Sequence, residues 1–157
     1  GQSALQGRIA RYERRNEHLS QRDFLATIGE LGYQWEVSGK VLLNVQALRK
    51  AMPWTADVQA SYRVDDTFSL GSSLIVGDRV NLHLNTYRIT TDFRGAIATL
   101  TGPSRHDILR STRLSADWTP PVRDLLFSLS VQRDRRSSNA GFSFDDSIAS
   151  IGASIGF

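Results

Sequence analysis

The chain has 157 residues, 40% of them hydrophobic, a formal net charge of +3 and no cysteine. This length fits one domain with a sizeable core; the missing thiols exclude a disulfide framework and thiolate metal sites. No run approaches the roughly 20 apolar residues of a membrane-spanning helix, and seventeen Arg against two Lys, spaced along the chain, are unlike the mixed basic patch with interleaved aromatics of a nucleic-acid binder.

Alternate residues tell more than the average does. Ser3, Leu5, Gly7, Ile9 and Arg11 form a first, weak series with period two. Leu25, Thr27, Gly29, Leu31, Tyr33 and Trp35 come next and run into EVSGK, and then Val41, Leu43, Val45 and Ala47 lead to Arg49. Phe68, Leu70, Ser72, Leu74 and Val76 run into GDR, after which Val80, Leu82, Leu84 and Thr86 lead to Arg88. Thr112, Leu114, Ala116 and Trp118 run into TPPVRD, after which Leu125, Phe127, Leu129 and Val131 lead to Arg133. The last series is Ala149, Ile151, Ala153, Ile155 and Phe157, with Ser150, Gly152, Ser154 and Gly156 opposite.

Period two places each series on one face of a strand, and each Arg-ended series has the ~9 to 11 residue length of a tilted membrane strand. Residues 35, 76 and 118 are equivalent, giving a repeat of about 40 residues, one hairpin plus one long connection. The short connections carry the Gly or Pro of hairpin turns; the others, near 12–22, 50–60, 93–104 and 134–145, are longer and polar. Short turns on one side and long loops on the other are the layout of a transmembrane β-barrel. Tyr33, Trp35, Trp118 and Phe157 then form one expected aromatic girdle and Trp54, Tyr62 and Phe93 a second. A helical reading of 3–31, with Ser3 as cap, and of 40–52, with Leu42, Val45 and Leu48 on one face, competes; recurrence of the alternation across the chain favours strands.

On the apolar faces, Arg11, Arg49, Arg88 and Arg133 are expected at the outer rim, snorkelling toward lipid phosphates. The opposite faces carry Arg8, Glu30, Asn44, Asn81, His83, Asn85, Arg113 and Asp117, expected to line a lumen as ion pairs or a water-filled path. His83 and the His106-Asp107 pair sit in no catalytic motif, and three scattered histidines make no metal cluster. No enzyme activity, cofactor or metal is therefore expected.

RDFLATIGELGYQWEVSGKVLLNVQALRK, RHDILRSTRLSADWTPPVRDLLFSLSVQRDRRSSN and a terminal strand ending in Phe together resemble the EpsL-like outer-membrane proteins, of the β-barrel porin type, encoded with exopolysaccharide biosynthesis loci of Gram-negative bacteria. The most specific pieces are the W-x-x-x-G-K turn at 35–40, the W-x-P turn at 118–120, the R-x-S-N loop at 136–139 and the closing Phe157. The resemblance implies residence in the cell outer membrane and a structural or transport role in exopolysaccharide secretion. The implied partners are lipopolysaccharide, the barrel-assembly machinery, and the exopolysaccharide with its export proteins. Ala149, Ile151, Ile155 and Phe157 resemble the terminal signal that the assembly machinery reads. Members of such families are longer, so 1–157 is expected to be a single barrel domain or the C-terminal segment of a larger barrel, with about eight antiparallel strands and further strands upstream of Gly1. Two other classes stay open: a soluble β-barrel or sandwich binder, and a membrane-embedded enzyme acting on lipid or glycan, which a Ser, His or Asp cluster in the lumen would reveal.

Overall fold

In the computed structural model the described residues are 1–56, 60–95, 104–122 and 124–156. They form eight strands: β1 (Ser3–Arg14), β2 (Phe24–Ser38), β3 (Val41–Pro53), β4 (Tyr62–Val76), β5 (Val80–Arg94), β6 (His106–Trp118), β7 (Leu125–Ser138) and β8 (Phe144–Ile155), with one 3-10 turn at Ser20–Arg22. All eight belong to one antiparallel sheet in the order β1-β2-β3-β4-β5-β6-β7-β8. The sheet is an open meander whose two edges are β1 and β8.

The helical reading of 3–31 and 40–52 is overturned, because both stretches lie in strands. Leu42, Val45 and Leu48 have helical spacing, but Leu43, Val45 and Ala47 pair with Trp35, Tyr33 and Leu31 across the ladder. An isolated amphipathic helix would forgo those pairs, each worth about 0.2 to 1 kcal/mol. The β4–β5 turn is fixed by Gly77, whose φ of +65° suits a residue without Cβ. The last connection is shorter than expected, since β7 and β8 run through most of 134–145 and leave only 139–143 outside. Arg135 and Arg136 pair with Asp145 and Phe144 there, and opposite charges hold a stretch that composition alone marks as loop.

Directly opposed residues in an antiparallel ladder point to the same face, so the register assigns faces to the whole sheet. Leu5, Tyr33, Val45, Leu70 and Thr86 share one row; Trp35, Leu43, Ser72, Leu84, Leu114, Val131 and Ala149 share another. Every apolar series of the sequence therefore falls on one continuous face, which we call outer. That face is uncovered: Leu129 is 55% and Ile151 85% exposed. On β6 the outward Arg110, Thr112, Leu114 and Trp118 are exposed, whereas the opposite face holds the buried Asp107 and Ser111. Only four apolar side chains are buried among the described residues, Phe24, Ala60, Val64 and Phe93, all near the long connections. Ordinary packing thus holds the long-connection end of the sheet, Val64 of the outer face included, and leaves the rest of that face bare.

Candidate functional site

The outer face is ordered in depth as well as in polarity. Ile9, two residues before Arg11, shares a row with Arg49 through Gly29; Ala47, two before Arg49, shares a row with Arg88 through Phe68. Thr86, two before Arg88, shares a row with Arg133 through Thr112. Arg11, Arg49, Arg88 and Arg133 thus lie on one straight line that steps one residue per strand toward the short turns. The row of Trp35 reaches Leu114, and Trp118 lies a further four residues on, four strands from Trp35. Tryptophan therefore marks a second line with the same step. Between the lines no outward position holds a charged residue, Asn, Gln or His. Arg49 meets Asp66 at 3.1 Å and Arg133 grips Asp145 through two contacts of 3.0 and 2.8 Å, both on the loop side of this belt.

The inner face gathers the residues expected to be luminal. Arg8 stands directly opposite Glu30, Asn85 opposite Arg113, and Asn81 opposite Asp117; Asn44 shares the row of Asn85 through Gly71. Arg113 donates to the Ser130 hydroxyl at 3.2 Å. Neighbouring strands also bring together three residues of which the sequence marked only two. His83 Nδ1 lies 2.9 Å from Ser73 Oγ, and its Nε2 lies 3.5 Å from Asp117 Oδ2. Ser73 and His83 border a cleft of about 370 Å³ with Lys40, Asn81 and Leu42 in its wall. Chemically this is a hydroxyl beside an imidazole whose second nitrogen faces a carboxylate. Ladder pairing of Ser73 with His83, across the hairpin that turns at Gly77, brings the hydroxyl to the imidazole.

At the long-loop end, aromatic side chains pack against one another rather than forming the expected second girdle. Phe93 is buried on the inner face of β5, edge-on to Trp54 at 4.9 Å. Tyr62 stacks on Phe24 at 4.4 Å, and Phe24 meets Tyr12. The Arg105 guanidinium lies between the rings of Phe93 and Phe142, 4.4 and 4.3 Å from their centroids. From there it grips Asp107 at 2.8 and 3.1 Å, while Arg136 donates to the same carboxyl oxygen. Asn139, in the R-x-S-N stretch, ties this corner together by accepting from the His106 amide at 2.9 Å and donating to the Ser104 carbonyl at 3.0 Å. His106 in turn contacts Asp92 at 2.6 Å. Asp107 lies on the loop side of Arg110, outside the belt. Burial alone would raise its carboxyl, but hydrogen bonds from Arg105, Ser138 and Arg136, with the Arg136 charge, outweigh burial and hold it below its ordinary range.

Ala149, Ile151 and Ile155 of the expected assembly signal sit outward on the edge strand β8, where Ile151 and Ile155 are exposed; Phe157 lies outside the described residues. The chain matches no protein-family model and no curated protein.

Asp107 is 3% exposed and neutralises two guanidiniums, so Asp107→Asn should destabilise the sheet by about 3 kcal/mol, because breaking a buried pair strands its cations. A depressed carboxyl adds stability that is present above its unfolded value of about 3.9 and lost as pH falls through its lower folded value. Denaturant midpoints of the two proteins should accordingly differ at pH 6 and converge toward pH 2. A constant gap across that range would show that Asp107 acts through packing alone.

Proposed function

We propose that the chain forms the wall of an outer-membrane β-barrel with a structural or transport role in exopolysaccharide secretion. The observation that carries the membrane reading is the uncharged, bare stretch of the outer face between a staggered line of four Arg and a parallel line through Trp35 and Trp118. With strands about 4.8 Å apart and a rise of about 3.3 Å per residue, a line stepping one residue per strand runs level when the strands tilt by about 35°. Membrane barrels tilt by about 35 to 45°. On β3 the lines are 49 − 42 = 7 residues apart, which at that tilt is a belt about 19 Å high. Outward-reaching Arg and Trp side chains extend it toward the band of about 25 Å that bilayers require. Lipid in turn tolerates no unpaired strand edge, so in this reading the edges of β1 and β8 are paired in the membrane. The polar inner face fits a water-lined passage, and the secretion role rests on the resemblance to EpsL-like proteins.

Leu84 sits midway between the lines and Val80 beside the tryptophan line. Leu84→Arg should therefore cost about 2 to 4 kcal/mol of stability in lipid vesicles, and Val80→Arg about 1 or less. Equal costs at both positions, with the chain recovered from the aqueous fraction without detergent, would favour the soluble binding protein instead.

Ser73, His83 and Asp117 favour a second reading, a hydrolase of lipid or glycan esters in the inner wall. A hydroxyl, a base and a group orienting that base stand in the order nucleophilic catalysis needs. Covalent labelling of Ser73 by a fluorophosphonate, abolished by His83→Ala, would establish it. A folded protein that takes no label would leave these residues as a wall network.

A further inference from the structure

The register places Arg88, Arg110 and Arg135 directly opposite one another on β5, β6 and β7. Opposed residues have Cβ atoms about 5 Å apart, and like charges so placed repel. All three lie on the outer face and are exposed, so no packing forces them together. The other charged outward pairs of the rim are compensated: Arg49 has Asp66 and Arg133 has Asp145. The row ends on Asp145, directly opposite Arg135 and 3.6 Å from it, but both oxygens of that carboxylate are already held by Arg133. Among the described residues, Arg88 and Arg110 meet no carboxylate. A row of three cations with less than one shared carboxylate lacks its counter-charge.

We infer that Arg88, Arg110 and Arg135 form a binding site for the phosphate groups of an anionic, phosphomonoester-bearing lipid. Guanidinium forks match phosphate geometry and bind it through paired hydrogen bonds, and an arriving anion also cancels the mutual repulsion of the row. A lipid is the source because of what lies beneath. Immediately toward the short turns the same three strands present Thr86, Thr112 and Arg133, then Leu84, Leu114 and Val131, the last three uncharged and bare. A headgroup on the arginines would thus lay its acyl chains down the apolar belt. The inference rests on the membrane reading, but a separate measurement tests it.

The probe is the purified chain in zwitterionic detergent micelles doped with phosphatidic acid, phosphatidylcholine or inorganic phosphate, read by thermal unfolding and by lipid retained in native mass spectra. Phosphatidic acid should be retained at least about tenfold more strongly than phosphatidylcholine, because its monoester phosphate offers more charge and more free oxygens to charge-assisted hydrogen bonds. Arg110→Gln should erase that preference, and Arg110→Lys should keep part of it. Without phosphatidic acid, Arg110→Gln should unfold at the same temperature as the parent or higher, because it removes a repelling charge; this separates a lost ligand from a damaged fold. An unchanged preference in Arg110→Gln would overturn the site, and equal competition by inorganic phosphate would overturn the assignment to a lipid. If the belt itself were misread, Leu84→Arg and Val80→Arg would cost the same; failure of the phosphate site alone would leave their difference intact.

Discussion

Cross-strand register is the constraint on which everything else depends. A slip of one residue in any ladder would turn that strand's apolar series to the opposite face, yet seven consecutive ladders keep all of them on one side. Short turns help enforce this. Gly77 closes β4 onto β5, and Ser38 to Val41 closes β2 onto β3 with one irregularity between Glu36 and Ser38. The same register sets the one-residue step per strand that aligns Arg11, Arg49, Arg88 and Arg133.

The consequence is a sheet whose apolar side chains stand bare on one face. Burying apolar area in water contributes roughly 25 cal/mol per Å², a gain that Leu5, Leu31, Leu84, Leu129 and Ile151 forgo while Asp107 and Ser111 are buried. Dry packing is confined to the long-loop end, where Phe24, Phe93 and the Arg105–Asp107–Arg136 cluster lock the connections together. In the proposed reading, lipid contributes the missing half of the core. Charges that would be costly in the belt instead sit at its edges, as the pairs of Arg49 with Asp66 and Arg133 with Asp145, as Arg11, and as the row of Arg88, Arg110 and Arg135.

Much of this was legible along the chain, because strand alternation is local. Val41 to Arg49, Val80 to Arg88 and Leu125 to Arg133 each announce an outward face and its charged end. The stagger was not legible, since it depends on how each strand slides past its neighbour. Arg110 and Arg135 escaped notice for a related reason: each extends an outward series beyond Thr112 or Arg133, and only the ladders set them beside Arg88. Ser73 meets His83 across the Gly77 hairpin, whereas Asp117 reaches His83 only through the β5–β6 ladder. Phe93 was a readable miss. Its parity differs from that of Arg88 on the same strand, which already turns it inward rather than into a girdle. The stretch 134–145 misled because its charges suggested solvent, whereas Arg133 and Arg135 meet Asp145 across a continuing ladder.

The central claim is that depth in a bilayer tracks the staggered lines rather than the hydrogen-bonded rows. Val45, Leu84 and Leu129 lie on one staggered level, although the rows pair Val45 with Leu70 and Thr86, and Leu84 with Leu114 and Val131. Nitroxide labels at 45, 84 and 129, and along 80–88, would be read in vesicles by relative access of oxygen and of a water-soluble nickel complex. The account predicts equal, maximal depth at 45, 84 and 129, with alternating lipid and water exposure along β5. Uniform access of the nickel complex at all three positions, or depths ordered by rows so that 45 matches 86 and not 84, would contradict it.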